Sequence, residues 1–438
     1  MRISAFVFII LIAFIHAQGQ DNNPKEFSVN GLKVIYKKVP KQIVSVNFVI
    51  KGGTANYEKQ EEGIEALALQ WAVEGGTMNF PKNKLFENLE STGTEISYYP
   101  DYDFSTIEMN SLEENWLDSW QIFTDILFNP IFDIKQFNLF KKQLISDAKF
   151  NNQDPETKLR YLAMSNVFKG FDYEKVPEGS AESLSKLSSN RVRGYYKSIL
   201  NKENCFLTIV GNLDEEELRK LLTKTLQELP TGEKILSKER FEIKKGDHKI
   251  HHRKTETNHL RGYMNAPRLD SNEGIVMWLS MNILNERIID VVRRREGLSY
   301  HPRAFYATGI IDNPYNFLYV STSKPNLAIK FMVEVIDDVR QNGFEEKELS
   351  AQKATFLTDY YLGQQTTSSQ SQEIVLNELR AGWQNIQTTP ENIASISLEN
   401  VNQTIRKYTD TIRWTYLGNE DIISYTDFIE PKEIEKKN

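Results

Sequence analysis

The chain has 438 residues with 60 acidic and 53 basic side chains, 40% hydrophobic residues and a single cysteine. With 19 Tyr, 24 Phe and 6 Trp, it is too apolar to be disordered and too poor in Gly and Pro to be fibrous, so a packed core is expected. A length of this order suggests two or three domains at about 150 residues each, and a formal charge of −7 gives no electrostatic reason to expect a nucleic-acid partner.

At the N-terminus, Arg2 precedes an unbroken apolar run from Ala5 to Ile15, and the small residues Ala17 and Gly19 follow. This order of charge, apolar run and small residues reads as a secretory signal peptide over residues 1–19. The run is too short for the roughly 20 residues that span a bilayer, so no stable membrane anchor is expected after cleavage. An exported protein, periplasmic or secreted, is the expectation. Cleavage removes Arg2 and moves the charge from −7 to −8. Cys205 has no partner for an internal disulfide and lies in the strand-like run CFLTIV, which predicts a buried structural thiol.

The two halves echo one another in order. Glu62-Gly63 opens an apolar run and Glu273-Gly274 opens another, 211 positions later. Phe132-Asp133-Ile134-Lys135 matches Phe344-Glu345-Glu346-Lys347 at 212, and Val210-Gly211-Asn212 matches Leu417-Gly418-Asn419 at 207. Ordered echoes predict a duplicated unit. Within each half an alternating strand precedes an apolar helix, a second alternating strand, amphipathic helices and a closing strand. The predicted fold class is α+β with two homologous domains, each a mainly antiparallel sheet packed with helices. Residues 20–235 and 246–438 form the two units, and the polar passage from Thr231 to Asp247 is the expected linker.

The first apolar helix is the most informative segment. Lys51-Gly52-Gly53-Thr54 ends a strand, and Gly63 opens a helix that closes at Gly75-Gly76-Thr77. This frame resembles the pitrilysin/insulinase family of zinc peptidases, the inverted zincins, in which the helix carries His-x-x-Glu-His. The positions of the first His, the base and the second His are taken here by Ala66, Leu69 and Gln70. The family's third ligand, a Glu 77 positions after the second His on a helix running into Asp-Pro, falls on Asp147, ahead of Asp154-Pro155. Catalytic zinc needs three protein donors and an open position, so no metal is expected in this chain. A core helix is the better reading for Ala66 and Leu69. The spacing of His248, His251 and His252 could clamp a metal, yet no Glu-flanked helical pair accompanies them, and an exposed strand entry is the simpler reading.

Further along, Arg293-Arg294-Arg295-Glu296-Gly297-Leu298-Ser299-Tyr300 is similar to the family's Arg-Glu-x-x-Gly-Leu-x-Tyr segment. There an Arg and a Tyr seven apart reach substrate, which assigns substrate contact to Arg293 and Tyr300. Composition alone reads the three arginines as helix-end charges before a Gly cap. A strand that pairs with substrate backbone in active relatives corresponds to Thr94, Glu95, Ile96, Ser97 and Tyr98, and its alternation fits an internal pairing edge equally well.

The resemblance implies half of a clamshell that encloses unfolded peptide, completed by a second chain. On this reading the protein is a non-catalytic subunit of an exported heteromeric zinc metallopeptidase, with zinc held by a catalytic partner of the same family whose His-x-x-Glu-His is intact. The alternative is a peptide-binding or scaffold pseudo-peptidase acting without such a partner. A hydrolase with its own nucleophile finds no Gly-x-Ser-x-Gly elbow.

Overall fold

The computed structural model describes residues 23–233 and 241–433. The expected signal segment lies outside the described residues, as does part of the expected linker.

The first half carries strands β1 (Lys25–Val29), β2 (Leu32–Lys38), β3 (Ile43–Lys51), β4 (Glu95–Pro100), β5 (Phe104–Leu112) and β6 (Cys205–Gly211). Its helices are α1 (Ile64–Glu74), α2 (Lys82–Thr92), α3 (Trp116–Phe128), α4 (Ile134–Gln153), α5 (Pro155–Val167), α6 (Ala181–Lys186), α7 (Ser189–Ile199) and α8 (Glu215–Thr225). The second half carries β7 (Lys249–His252), β8 (Asn258–Asn265), β9 (Arg303–Tyr306), β10 (Tyr315–Thr322) and β11 (Arg413–Gly418). Around them lie α9 (Asn272–Ile288), α10 (Pro325–Asn342), α11 (Glu346–Gly363), α12 (Thr367–Arg380), α13 (Thr389–Ser395) and α14 (Leu398–Tyr408).

Among the described residues the strands form two sheets, ordered β1-β2-β6-β3-β5-β4 and β7-β11-β8-β10-β9. Apart from the additional β1, the two orders coincide strand for strand. Each sheet also has its one parallel pair at the same place, β2 with β6 and β7 with β11, and all other pairings are antiparallel. The three sequence echoes fall on matching elements: the starts of α1 and α9, the starts of α4 and α11, and the ends of β6 and β11.

Local chemistry sets the helix boundaries. Asp133 caps α4 by accepting from the backbone N–H of Lys135 and Gln136 at 2.9 and 3.0 Å. Asp154 ends that helix and caps the next, accepting from Thr157 N at 2.8 Å with Pro155 in the first turn. Gly53 (φ +48°) is required where the chain leaves β3, because a Cβ there would stand 2.4 Å from Asp101 O.

Strand β3 is not the half-exposed alternating strand that its pattern predicts. From Val44 to Ile50 it is buried on both faces, because each half lends a helix to the other's sheet. Helix α12 of the second half lies on β3 and β6, where Ile374 and Val375 join Ile35, Val49, Phe206 and Val210. Polar positions under it are paired: Ser45 Oγ donates to Thr367 Oγ1 at 2.9 Å and Asn47 Nδ2 to Ser371 Oγ at 2.7 Å. Reciprocally, α5 packs on β8 and β11, with Leu159, Ala163, Met164 and Val167 against Tyr263, Tyr315, Phe317 and Leu417. Fully burying such a side chain contributes about 1.5–3 kcal/mol, so the exchange of helices fastens the halves. The end of the expected linker is docked as well, since Ile243 is buried and its N–H donates to Asn265 Oδ1 at 2.8 Å.

A polar latch joins the halves near Asp103. Its carboxylate accepts from the Tyr173 hydroxyl and from Ile311 N at 2.7 Å, and the Tyr173 oxygen accepts from Asn313 N at 3.1 Å. Burial pushes the Asp103 carboxyl up to about 7 and that of Asp101 up to about 6, from an ordinary value of 3.8. A carboxyl raised in this way keeps its proton longer in the folded chain than in the unfolded one. Stability is therefore greatest below about pH 4 for these groups and falls as the pH rises through 6 to 7. Urea unfolding should show lower stability at pH 8 than at pH 5, by on the order of a few kcal/mol, and Asp103→Asn should flatten the difference. An unchanged slope in that variant would assign the effect to other groups.

Candidate functional site

Helix α1 starts at Gly63 in the left-handed region (φ +82°), where a Cβ would come within 2.8 Å of Gly179 Cα. It ends at Gly75 and Gly76, and the following turn is locked by buried Asp125. That carboxylate accepts from Thr77 Oγ1, from Asn79 N at 3.1 Å and from Asn129 Nδ2 at 2.9 Å. The helix is buried almost throughout, so its side chains meet protein rather than water. Ala66 and Leu69 are packed in this interior and carry no donor atom.

Gln70 is also buried. Its Nε2 donates to Glu74 Oε2 at 3.4 Å, and its Oε1 has no hydrogen-bond partner among the described residues. Glu74 in turn stands beside the hydroxyl of Tyr98 of β4. Burial holds the Tyr98 hydroxyl above its usual range, and the charges of Glu74 and of Asp147, which is exposed on α4, add to the shift. Where the family frame would place metal ligands, the chain therefore gathers an amide, a phenol and two carboxylates. Gln70 meets Glu74, and Asp147 acts on the same Tyr98 hydroxyl from α4. The sequence reading missed Glu74, and it named Tyr98 only as part of the peptide-pairing strand. The i, i+4 spacing of Gln70 and Glu74 was the available signal for the first.

This donor set does not fit catalytic zinc. Three N, S or O ligands with an open position are needed, while two of the four positions offer hydrocarbon and a third a neutral amide. Among the described residues no group of three or more His, Cys, Asp or Glu side chains stands close enough to hold a metal ion. The histidines at and just before β7 each have separate surroundings: His248 Nδ1 accepts from Trp414 N at 3.1 Å and His252 lies 3.5 Å from Glu420. His251 keeps a buried Nε2 without a hydrogen-bond partner among the described residues.

Beneath the start of α1 lies Glu65, another residue that the sequence reading passed over. Burial raises its pKa, and it accepts from Ser105 Oγ, the Tyr195 hydroxyl and Asn56 Nδ2. These bonds tie the first turn of the helix to β5 and α7. Cys205 is buried, and burial pushes its thiol up to about 12, which leaves it unfit as a nucleophile.

Strand β4 lies at the end of its sheet and pairs only with β5 among the described residues. Ile96 and Tyr98 are half-buried, whereas Glu95, Ser97 and Tyr99 are exposed on the other face. Thr94 precedes the strand and is buried, its hydroxyl bonded to those of Thr92 and Ser119 at 2.7 and 2.6 Å.

Helix α9 continues without a break into a π-helical turn, Ile289–Arg295, a distortion common at functional sites. Gly297 follows in the left-handed conformation (φ +60°), and Leu298 N donates back to Val292 O at 2.9 Å, which closes the helix. The Arg293 guanidinium lies 4.3 Å from the centre of the Tyr300 ring. Both are exposed, Tyr300 to 69%. Arg295 pairs with Asp290 at 2.5 Å and Arg294 lies 3.9 Å from the same carboxylate, while Arg293 has no carboxylate partner among the described residues. No hydrogen bond or ion pair there links Arg293 or Tyr300 to α1, α4 or β4.

Residues 33–175 match the family model described as Insulinase (Peptidase family M16), and residues 186–356 match Peptidase M16 inactive domain. The chain is 22% identical to a protein of Rickettsia felis described as an uncharacterized zinc protease, over 80% of this chain and 85% of that one. A peptidase M16 inactive domain from Pseudomonas fluorescens superposes with a TM-score of 0.79 at 16% identity, covering 94% of this chain and all (100%) of that one. A chain of Complex III2 from Candida albicans superposes with a TM-score of 0.78 at 16% identity, covering 92% and 98%. At these identities the structural likeness speaks for the fold.

Proposed function

The chain belongs to the insulinase/pitrilysin family of M16 peptidases, and we propose that within it the protein is a non-catalytic subunit of an exported, heteromeric zinc metallopeptidase. The observation that carries this reading is the replacement of the metal-binding positions on a helix whose frame is otherwise kept. Ala66 and Leu69 are buried hydrocarbon and cannot be rescued by a rotamer change. Meanwhile Arg293 and Tyr300 stand together at the surface without an ion-pair partner among the described residues, as groups held ready for something outside the chain would.

The partner is a catalytic chain with an intact His-x-x-Glu-His, which holds the zinc. This subunit completes the peptide chamber and offers Arg293 and Tyr300 to substrate in trans. Support for assembly comes from the likeness to a chain of Complex III2, which is itself a multisubunit assembly. The open edge of β4 suits an unfolded peptide, because backbone pairing supplies affinity without reading side chains. Export rests on the apolar run from Ala5 to Ile15 alone.

Elemental analysis of the purified, zinc-exposed chain tests the reading. We expect no stoichiometric zinc and no peptidase activity in the isolated subunit. One tightly held zinc per chain, together with cleavage that a chelator abolishes, would overturn it.

A further inference from the structure

The second half carries a half-open cleft of about 900 Å³ between α9, α11, α12 and α13, in the upper part of the range usual for ligand sites. Helix α12 turns one face to the first sheet and the other to this space. Its cavity face runs through Ser369, Gln372, Leu376 and Arg380 at helical spacing. Trp278 and Phe356 form an aromatic wall, their rings 4.9 Å apart edge to face.

Arg380 is the unusual member of this wall. Its Nη2 donates to Thr308 O at 2.7 Å, its Nε is buried without a hydrogen-bond partner, and no carboxylate lies within ion-pair distance among the described residues. Burial pulls the guanidinium down to about 10 from its ordinary value. A cation removed from water without a counter-charge is costly, and a cavity beside it supplies room for the missing anion.

We propose that this cavity binds a carboxylate, the C-terminus of a short peptide, with Arg380 as its anchor. A planar guanidinium matches a carboxylate by paired hydrogen bonds. The side-chain amides of Asn272, Gln372 and Asn377 line the same space and can exchange hydrogen bonds with peptide groups, while the aromatic wall takes an apolar side chain. Acidic side chains of Asp270, Asp359 and Glu373 also line it, which disfavours a multiply charged anion such as phosphate. A second cavity of about 380 Å³ shares Gln372 and Leu376 with the first in its lining and is also lined by Ser97, Tyr98 and Tyr99 of β4. That adjacency to an edge strand favours a peptide over a free organic acid. The inference needs no catalytic partner, and its test uses this chain alone.

Calorimetric titration of the full chain with N-acetyl-Ala-Ala-Phe should give saturable binding, and the C-terminal amide of the same peptide should bind at least tenfold more weakly. Arg380→Gln should abolish binding of the acid. Should that variant fail to fold, Asn377→Tyr blocks the approach one helical turn away while leaving the guanidinium in place, and it should abolish binding with an unchanged melting temperature. Succinate serves as the second probe. Weaker binding of succinate than of the peptide supports the peptide end, and equal binding assigns the carboxylate site to small organic acids instead. Acid and amide binding alike, no binding of either, or full binding in folded Asn377→Tyr overturns the proposal.

Discussion

Replacing Lys175 by methionine should destabilise the fold by about 3–5 kcal/mol, the cost of breaking a buried ion pair from one side. Lys175 is 8% exposed. Its ammonium donates to Thr54 O at 2.7 Å, Tyr57 O at 2.6 Å and Asp172 Oδ1 at 2.8 Å. All three of its donors are thereby used, and the two carbonyls belong to the segment that carries the chain from β3 toward α1. Methionine fills nearly the same volume, so the loss is not a packing loss. What remains is a pair of carbonyls stripped of a donor, each unsatisfied group costing about 1–3 kcal/mol, beside a carboxylate that has lost its ammonium partner. Urea unfolding should therefore show a lower midpoint with an unchanged slope. A shift worth less than about 1 kcal/mol would mean that water enters and replaces the ammonium.

The parts of this molecule that were legible in the sequence are those governed by local chemistry. Gly63, Asp133 and Gly211 mark element boundaries through capping and turn geometry that a few neighbouring residues decide; of their echoes, Glu345 and Gly418 do the same and Gly274 lies in the first turn of α9. An ordered set of such marks was enough to predict a repeated unit, and the strand orders of the two sheets agree with it. The exchange of α5 and α12 between halves left no such mark. Asn47 meets Ser371 across 324 positions of sequence, and a period-2 pattern in β3 cannot say that a helix from the other half covers its second face. Glu74 and Arg380 were missed for the same reason. Each is ordinary by its neighbours in sequence and becomes informative only when burial and distant partners are known.

Loss of Arg293 or of the Tyr300 hydroxyl should lower turnover by the assembled complex by about 10²–10³ while assembly stays intact, if these groups touch the reacting peptide as proposed. Amide hydrolysis builds negative charge on the carbonyl oxygen, and a fixed guanidinium or phenol aimed at that oxygen contributes about 2.7–4 kcal/mol to the transition state. Their structural contribution is far smaller. A cation over an exposed ring contributes about 0.5–1 kcal/mol, and a helix-end charge about 0.3–1 kcal/mol, so neither change should unfold the subunit. Tyr300→Phe is the sharper of the two variants, because phenylalanine keeps the ring under the guanidinium and deletes only the hydroxyl. If the pair merely stacks at a helix end, that variant is silent. Arg293→Lys adds a second comparison, since a point charge replaces the planar fork and should restore turnover only in part. A fall in kcat with KM nearly constant would place the contact in the transition state, whereas a rise in KM alone would make the pair a holder of peptide. Normal turnover by a fully assembled complex carrying Tyr300→Phe and Arg293→Ala together would return both residues to the structural reading and leave the subunit as a scaffold.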